Sequence, residues 1–322
     1  MRFPRRISIA PMLDWTDRHC RRFHRELTHH AWLYSEMVTT GALIHGNAAR
    51  FLQKDPLEQP VAFQIGGSDP ADLARCAKMV EAAGYDEVNL NCGCPSERVQ
   101  RGAFGACLMA EPGLVADGVK AMKDTVDIEV TVKNRIGLND DTSENLLHEF
   151  IGRVAEAGCH TFIVHARNAV LRGLSPKENR EIPPLRYDVV YRLKQLFPAL
   201  EIILNGGVKC SADVHRHLSH LDGVMIGREA YHNPWLLNEV DAVFAQSTAP
   251  GRKREDVLQA LRPYVEKELR ASTPLRQITK SWLGLYHGQP GGRLFRRTLS
   301  EPHELLTNDW RVIERALAWT RA

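Results

Sequence analysis

Eight short β-rich runs alternate with helical stretches between residues 7 and 228, and no other feature restricts the fold so tightly. The runs are Ile7–Met12, Ala31–Met37, Val61–Gly67, Glu87–Gly93, Ile128–Ile136, Thr161–Ala166, Glu201–Gly207 and Asp222–Arg228. Several are nearly continuous apolar stretches with polar ends, as in Thr161–His165 and Glu201–Asn205. Strands of a parallel sheet covered on both faces read this way. Between them lie helical patterns. Pro70–Ala83 has Asp69 as N-cap, proline in its first turn and Gly84 placed to stop it. Glu111–Asp124, Thr142–Ala157 and Leu185–Phe197 follow the same logic. The repetition predicts an α/β protein with a (β/α)8 TIM barrel. A doubly wound open sheet is the main alternative, and eight units in this length fit the barrel better.

A barrel takes roughly 250 residues, and the chain has 322. Gln246–Arg254 is polar and rich in turn formers, so it reads as a linker. Beyond it, Glu255–Ala271, Pro274–His287 and Pro302–Ala322 carry apolar residues at helical spacing. The expectation is a barrel domain over 1–245 and a C-terminal helical bundle over 255–322. Charge divides the same way. Residues 251–322 hold 14 Lys and Arg against 8 Asp and Glu, while the rest of the chain is mildly acidic. A basic tail on an acidic body suits a polyanionic partner, although charge alone fits a solvated helix face equally well.

No apolar run approaches the ~18 residues of a membrane span, and the basic N-terminus lacks the apolar stretch of a secretory signal. A cytoplasmic protein is expected, acting as a monomer without membrane or stable protein partner. The seven cysteines are odd in number, so reduced thiols are expected rather than a disulfide framework.

Active sites of such barrels lie at the C-terminal strand ends. Those ends carry Pro11, Met12, Gln64, Asn91, Cys94, Lys133, Arg135, His165, Arg167, Asn205 and Arg228. Any one could be a satisfied strand-end residue; their joint occurrence on one rim points to function. Strand 7 ends in Asn205-Gly206-Gly207, and strand 8 ends in Gly227-Arg228 before a helix. Paired glycine loops at these two positions suit a phosphate, with tight turns as the plainer reading. Lys133 can stabilise negative charge on a reduced flavin ring; the competing reading is a Schiff-base lysine, which leaves the Cys94 segment unexplained. His165 can bond a cofactor or a substrate carbonyl, and Gln64 can read a ring edge. No second Cys or His pair lies at zinc spacing from Cys92 and Cys94, so no metal is expected. Cys94 lies just past strand 4 before Pro95. A free thiol has a pKa of roughly 8.5, so it is largely protonated at neutral pH and can act as a general acid.

The segments Ala10–His19, Asn89–Ser96, Thr131–Lys133, Val164–Arg167, Gly173–Arg180, Asn205–Gly207 and Ile226–Tyr231 together resemble the tRNA-dihydrouridine synthases, most closely the bacterial A subfamily. The resemblance runs from about residue 7 to about residue 300. It implies an FMN-binding barrel followed by a helical tRNA-binding domain, with NADPH as electron donor. It implies that Pro11, Met12 and Leu13 contact FMN through their backbone. Gln64, Lys133 and His165 would bind the isoalloxazine region, and Asn205, Gly206, Gly207, Gly227 and Arg228 the phosphate end. Cys94 would be the proton donor and Asn91 would hold the target uracil. Lys177, Arg180, Arg293 and Arg296 would contact tRNA, whose target uridines would be positions 20 and 20a of the D-loop. Two positions depart from the pattern: Asn134 stands where His is expected, and Ile203-Leu204 where a polar start is usual.

The chain lacks a glycine-rich dinucleotide fingerprint after a strand, so NADPH is expected to visit the flavin only briefly. Arg293, Arg296 and Arg297 would share a helix face, and Arg276 and Lys280 repeat the four-residue spacing. Two rivals stand beside this reading. One is a flavin barrel acting on a free pyrimidine of the dihydroorotate type, which would not need the basic helical segment. The other is a non-catalytic RNA-binding barrel, which would not need Gln64, Cys94, Lys133 and His165 together.

Overall fold

The computed structural model describes residues 4–244 and 252–321. All eight expected strands form: β1 (Ile7–Ile9), β2 (Leu33–Thr39), β3 (Val61–Gly66), β4 (Glu87–Cys92), β5 (Glu129–Arg135), β6 (Thr161–His165), β7 (Glu201–Asn205) and β8 (Gly223–Ile226). Every pair is parallel, and the order is β1-β8-β7-β6-β5-β4-β3-β2. The barrel closes where Ile9 N donates to Trp32 O at 2.8 Å and Trp32 N to Ile7 O at 3.0 Å. β1 ends before the expected Met12. Pro11 has no N–H to continue the ladder, and Met12 instead donates its N–H to Thr16 Oγ1.

Helices follow the strands: Arg18–Leu27, Pro70–Ala82, Pro112–Lys123, Asn145–Glu156, Tyr187–Leu196, Ser211–Leu218 and Trp235–Phe244 among them. Their apolar faces and the outward strand residues make the main core, which includes Phe63, Val88, Val132, Val164 and Leu204. The inward strand residues divide into layers, as strand alternation requires. An apolar layer holds Trp32, Tyr34, Ala62, Ile163, Ile203 and Met225. One layer is polar. Arg5 donates through Nε to Glu87 Oε2 at 2.9 Å and through Nη1 to Glu201 Oε2 at 3.2 Å. Its guanidinium lies 4.3 Å from the Trp32 ring centroid. Tyr34 and Thr131 donate to Glu87 Oε1.

The C-terminal residues are helical, though not as the periodicity implied. Pro274–His287 is not one helix: Leu275–Thr279 is helical and turns follow, ended by the glycine- and proline-rich run at 288–292. Pro302–Ala322 divides into a 3-10 turn at Glu304–Thr307 and a helix at Arg311–Ala318, separated by Asn308 with φ +45°. Arg254–Arg270 and Gly292–Thr298 complete the set. Most of the expected linker, residues 246–251, lies outside the described residues. Its last residues are anchored: Arg252 pairs with Glu26 at 2.7 Å, and Arg254 begins a helix. Arg18 makes a bidentate pair with Glu268, both bonds 2.6 Å, and His19 Nδ1 lies 2.7 Å from the Tyr264 hydroxyl. The helical segment is therefore fastened to the first barrel helix.

Arg5 is 2% and Glu87 0% exposed, so removing one partner leaves a buried charge. Arg5→Met is expected to cost about 3–5 kcal/mol of stability in urea unfolding; a loss within ordinary surface scatter would show the pair to be dispensable.

Candidate active site

Strand register brings the expected residues to one end. Asn89 pairs with Thr131 and Asn91 with Lys133 across β4 and β5, and Gln64 pairs with Asn89 across β3 and β4. All point into the barrel and bond side chain to side chain. Gln64 Nε2 donates to Asn89 Oδ1 at 2.7 Å, and Asn91 Nδ2 donates to Gln64 Oε1 at 2.9 Å. Lys133 Nζ donates to Asn205 Oδ1 at 2.9 Å, and Asn205 Nδ2 donates to Met225 O.

Cys94 follows β4. Its N–H and that of Gly93 both donate to Asn91 Oδ1, at 3.0 and 3.1 Å. Its carbonyl accepts from Ala106 N, and its Sγ lies 3.7 Å from Ser96 Oγ. The seven cysteines are free thiols. Burial pushes Cys76 up to about 11 and Cys159 up to about 12. Cys92 is fully buried, whereas Cys94 is partly exposed.

Cations surround this thiol. Burial, then the Arg135 guanidinium, lowers the Lys133 amine to about 7. Burial, then Arg135, Lys133, Arg167 and Arg180, holds His165 well below the usual imidazole range, so its ring is neutral at neutral pH. Arg135 donates through Nε to Gly93 O at 3.1 Å and through Nη1 to the carbonyls of Asn168 and Asn179. It ties the Cys94 loop to the loop after β6. Gln100 makes a second tie, donating to Pro95 O and Leu171 O.

At the far side of the mouth Gly206 and Gly207 have φ of +115° and +72°, a region that disfavours side chains. A Cβ on Gly207 would lie 2.4 Å from the Tyr187 hydroxyl, which donates to Gly206 O. A Cβ on Gly227 would meet only the Ala10 Cβ, at 4.0 Å, so space is open against that backbone. Arg167 contacts the carbonyls of Glu181 and Pro183, and its buried Nε has no partner. Arg228 is paired with Glu181 at 2.6 Å. Clustered guanidinium and ammonium groups beside an open backbone suit an electron-rich ring carrying a phosphate.

Pro11, Met12 and Leu13 form the turn after β1, with Leu13 65% exposed. Asp14 has φ +65° and donates its N–H to Glu36. Lys177 and Arg180 are exposed around the buried Asn179, whose amide bonds to Val170 and Leu174. Arg293, Arg296 and Arg297 are exposed on the short helix as expected, with Arg297 paired to Glu301. Lys280 differs. It bonds to Asp17 and the Asp14 carbonyl, both at 2.8 Å, and so joins the helical segment to the barrel mouth instead of extending the basic face. Of the two departures, Asn134 is fully buried and bonds to the Arg135 carbonyl, and Ile203 lies in the apolar interior layer. Sequence reasoning assigned no role to Arg135, Gln100, Asn179 or Glu181, because the partners that tie loops together (Gly93 O for Arg135, Leu171 O for Gln100, Arg135 for the Asn179 carbonyl and Arg228 for Glu181) are distant in sequence. Among the described residues no His, Cys, Asp or Glu cluster could hold a metal ion.

A closed barrel with a thiol, an amide pair and a cation cluster at its mouth is an enzyme scaffold. The dihydrouridine synthase family model matches residues 8–314, and the chain belongs to that family. The chain is 56% identical to the tRNA-dihydrouridine(20/20a) synthase of Pseudomonas aeruginosa over 97% of its length and 94% of the relative. For the Vibrio cholerae protein of that name the identity is 56% over 97% and 96%, and for that of Pseudomonas putida 58% over 92% and 88%. A solved 2-naphthoyl-CoA reductase shares the fold, with TM-score 0.57 at 11% identity over 73% of this chain and 49% of that one.

The lowered Lys133 amine gives a pH prediction. An unfolded lysine titrates near 10.4, against about 7 in the fold. Between these values the unfolded chain binds more protons, so stability without ligand should rise with pH across the window. In urea unfolding at about pH 7 and about pH 9.5, Lys133→Met should lose this part of the slope. An unchanged slope would show that Lys133 does not titrate there.

Proposed function

We propose that the protein reduces the C5=C6 bond of uridine in tRNA to dihydrouridine, at positions 20 and 20a of the D-loop, using FMN and NADPH. The carrying observation is the Cys94 loop, hydrogen-bonded to Asn91 at the cationic mouth of a barrel that belongs to the dihydrouridine synthase family. The division of labour follows the chain: 1–245 as the catalytic barrel and 255–322 as the tRNA-binding helical unit.

Pro11, Met12 and Leu13 would line the flavin through their backbone. Gln64, Lys133 and neutral His165 would surround its isoalloxazine, and Asn205, Gly206, Gly207, Gly227 and Arg228 its phosphate. Arg228 must exchange Glu181 for the phosphate. When bound, the flavin supplies the hydride that adds to C6 of uracil. Cys94 gives a proton to C5, completing the addition of two hydrogens. Asn91 donates to a uracil carbonyl, and Lys133 carries positive charge toward the electron-rich product side. The target base must leave its stack to reach this depth. Lys177 and Arg180 flank the mouth, and Arg293 and Arg296 offer exposed guanidinium groups to phosphates.

Mass spectrometry of unmodified tRNA after incubation with protein, FMN and NADPH should show a gain of two hydrogens on a D-loop uridine. Gain on free uracil with none on tRNA would overturn the proposal. Cys94→Ala should keep bound flavin and lose turnover on tRNA; full turnover would remove the thiol from its role. Affinity for tRNA should fall with salt, and Arg293→Ala or Arg296→Ala should each reduce the slope of log K against log salt by about 1.

A further inference from the structure

A single line of hydrogen bonds runs from the polar layer inside the barrel to the Cys94 loop. Arg5 donates to Glu87. The other Glu87 oxygen accepts from Thr131 Oγ1. Thr131 Oγ1 accepts from Asn89 Nδ2 at 2.7 Å, Asn89 Oδ1 from Gln64 Nε2 at 2.7 Å, and Gln64 Oε1 from Asn91 Nδ2 at 2.9 Å. Asn91 Oδ1 accepts the N–H groups of Gly93 and Cys94. Gln64, Glu87, Asn89 and Thr131 are each at most 1% exposed.

Both ends of this line are polarised. A carboxylate against Arg5 only accepts, and a backbone N–H only donates. Every amide between them therefore has one orientation, and turning any of them would set donor against donor or acceptor against acceptor. The cost of a buried unsatisfied group resists such a turn. The result at the mouth is specific. Both lone pairs of Asn91 Oδ1 are taken, and one Nδ2 hydrogen is taken by Gln64. Asn91 is left with one N–H to offer, which matches a carbonyl oxygen.

We propose that Thr131 and Glu87 are positioning residues for the reaction: through Asn89 and Gln64 they fix the Asn91 amide and, with it, the Cys94 loop. The inference deepens the uridine-reductase reading and rests on it. Neither residue touches the mouth; they act by polarity transmitted along the line.

Thr131→Val keeps the shape and removes both hydroxyl bonds. With folding and bound flavin retained, kcat on tRNA should fall about tenfold, as loss of about one oriented hydrogen bond implies, with KM for tRNA unchanged. Thr131→Ser, whose hydroxyl both donates and accepts, should restore most of the rate. Equal rates in the valine variant and the native protein, or equal impairment of the valine and serine variants, would overturn the proposal. If the valine variant does not fold, Asn89→Asp serves, since it keeps the acceptor toward Gln64 and removes the donor to Thr131; native kcat there would overturn it as well. Side-chain amide hydrogen exchange separates this inference from the functional reading. The Asn89 and Gln64 amide protons should exchange slowly in the native protein and faster in the valine variant, whatever the substrate proves to be. Unchanged exchange would sink the positioning role, whereas native protein inactive on tRNA would sink only the functional reading.

Discussion

Glu87 lies inside the barrel with Arg5 on one oxygen and Tyr34 and Thr131 on the other, and the interior of the molecule depends on this arrangement. A parallel barrel must fill its centre with side chains from every strand. A carboxylate placed there is tolerated only when paired and fully hydrogen-bonded. Once satisfied, it imposes a direction on its neighbours. Thr131, Asn89, Gln64 and Asn91 then bond in sequence toward the mouth. A structural requirement of the core thereby becomes a constraint on the site.

The mouth has the opposite character. Burial first, and after it the neighbouring cations, holds Lys133, Arg135 and His165 below their usual ranges, so the site is short of negative charge. Such crowding costs stability, and an anionic ligand at the mouth would relieve it. Arg135 is the cross-tie in this arrangement. It grips carbonyls on the Cys94 loop and on the loop that carries Lys177 and Arg180, so the thiol and these exposed cations share one support.

The helical segment is not a loosely tethered appendage. Glu268 grips Arg18, Tyr264 meets His19, and Lys280 reaches the turn after β1. Trp15 stacks on Tyr231 at 4.5 Å beside that turn, and Tyr231 donates to the Lys280 carbonyl. These contacts hold the Arg254–Arg270 helix and Lys280 against the first barrel helix and the turn after β1.

The sequence by itself determined the eight strands, their order of use and the rim residues, because strand periodicity and strand-end polarity are local properties of the chain. It also placed Cys94 past β4. It misjudged the helices after residue 274, where glycine, proline and the Asn308 turn break a periodic pattern. It assigned Lys280 to a basic face, because the carboxylate that claims it lies over 260 residues away. Only the tertiary structure decided which polar residue answers which. Arg5 with Glu87, Arg135 with Gly93, and Gln64 with Asn89 and Asn91 are partners by barrel closure and strand register. Register is a property of neighbouring strands together, and no single run of residues encodes it.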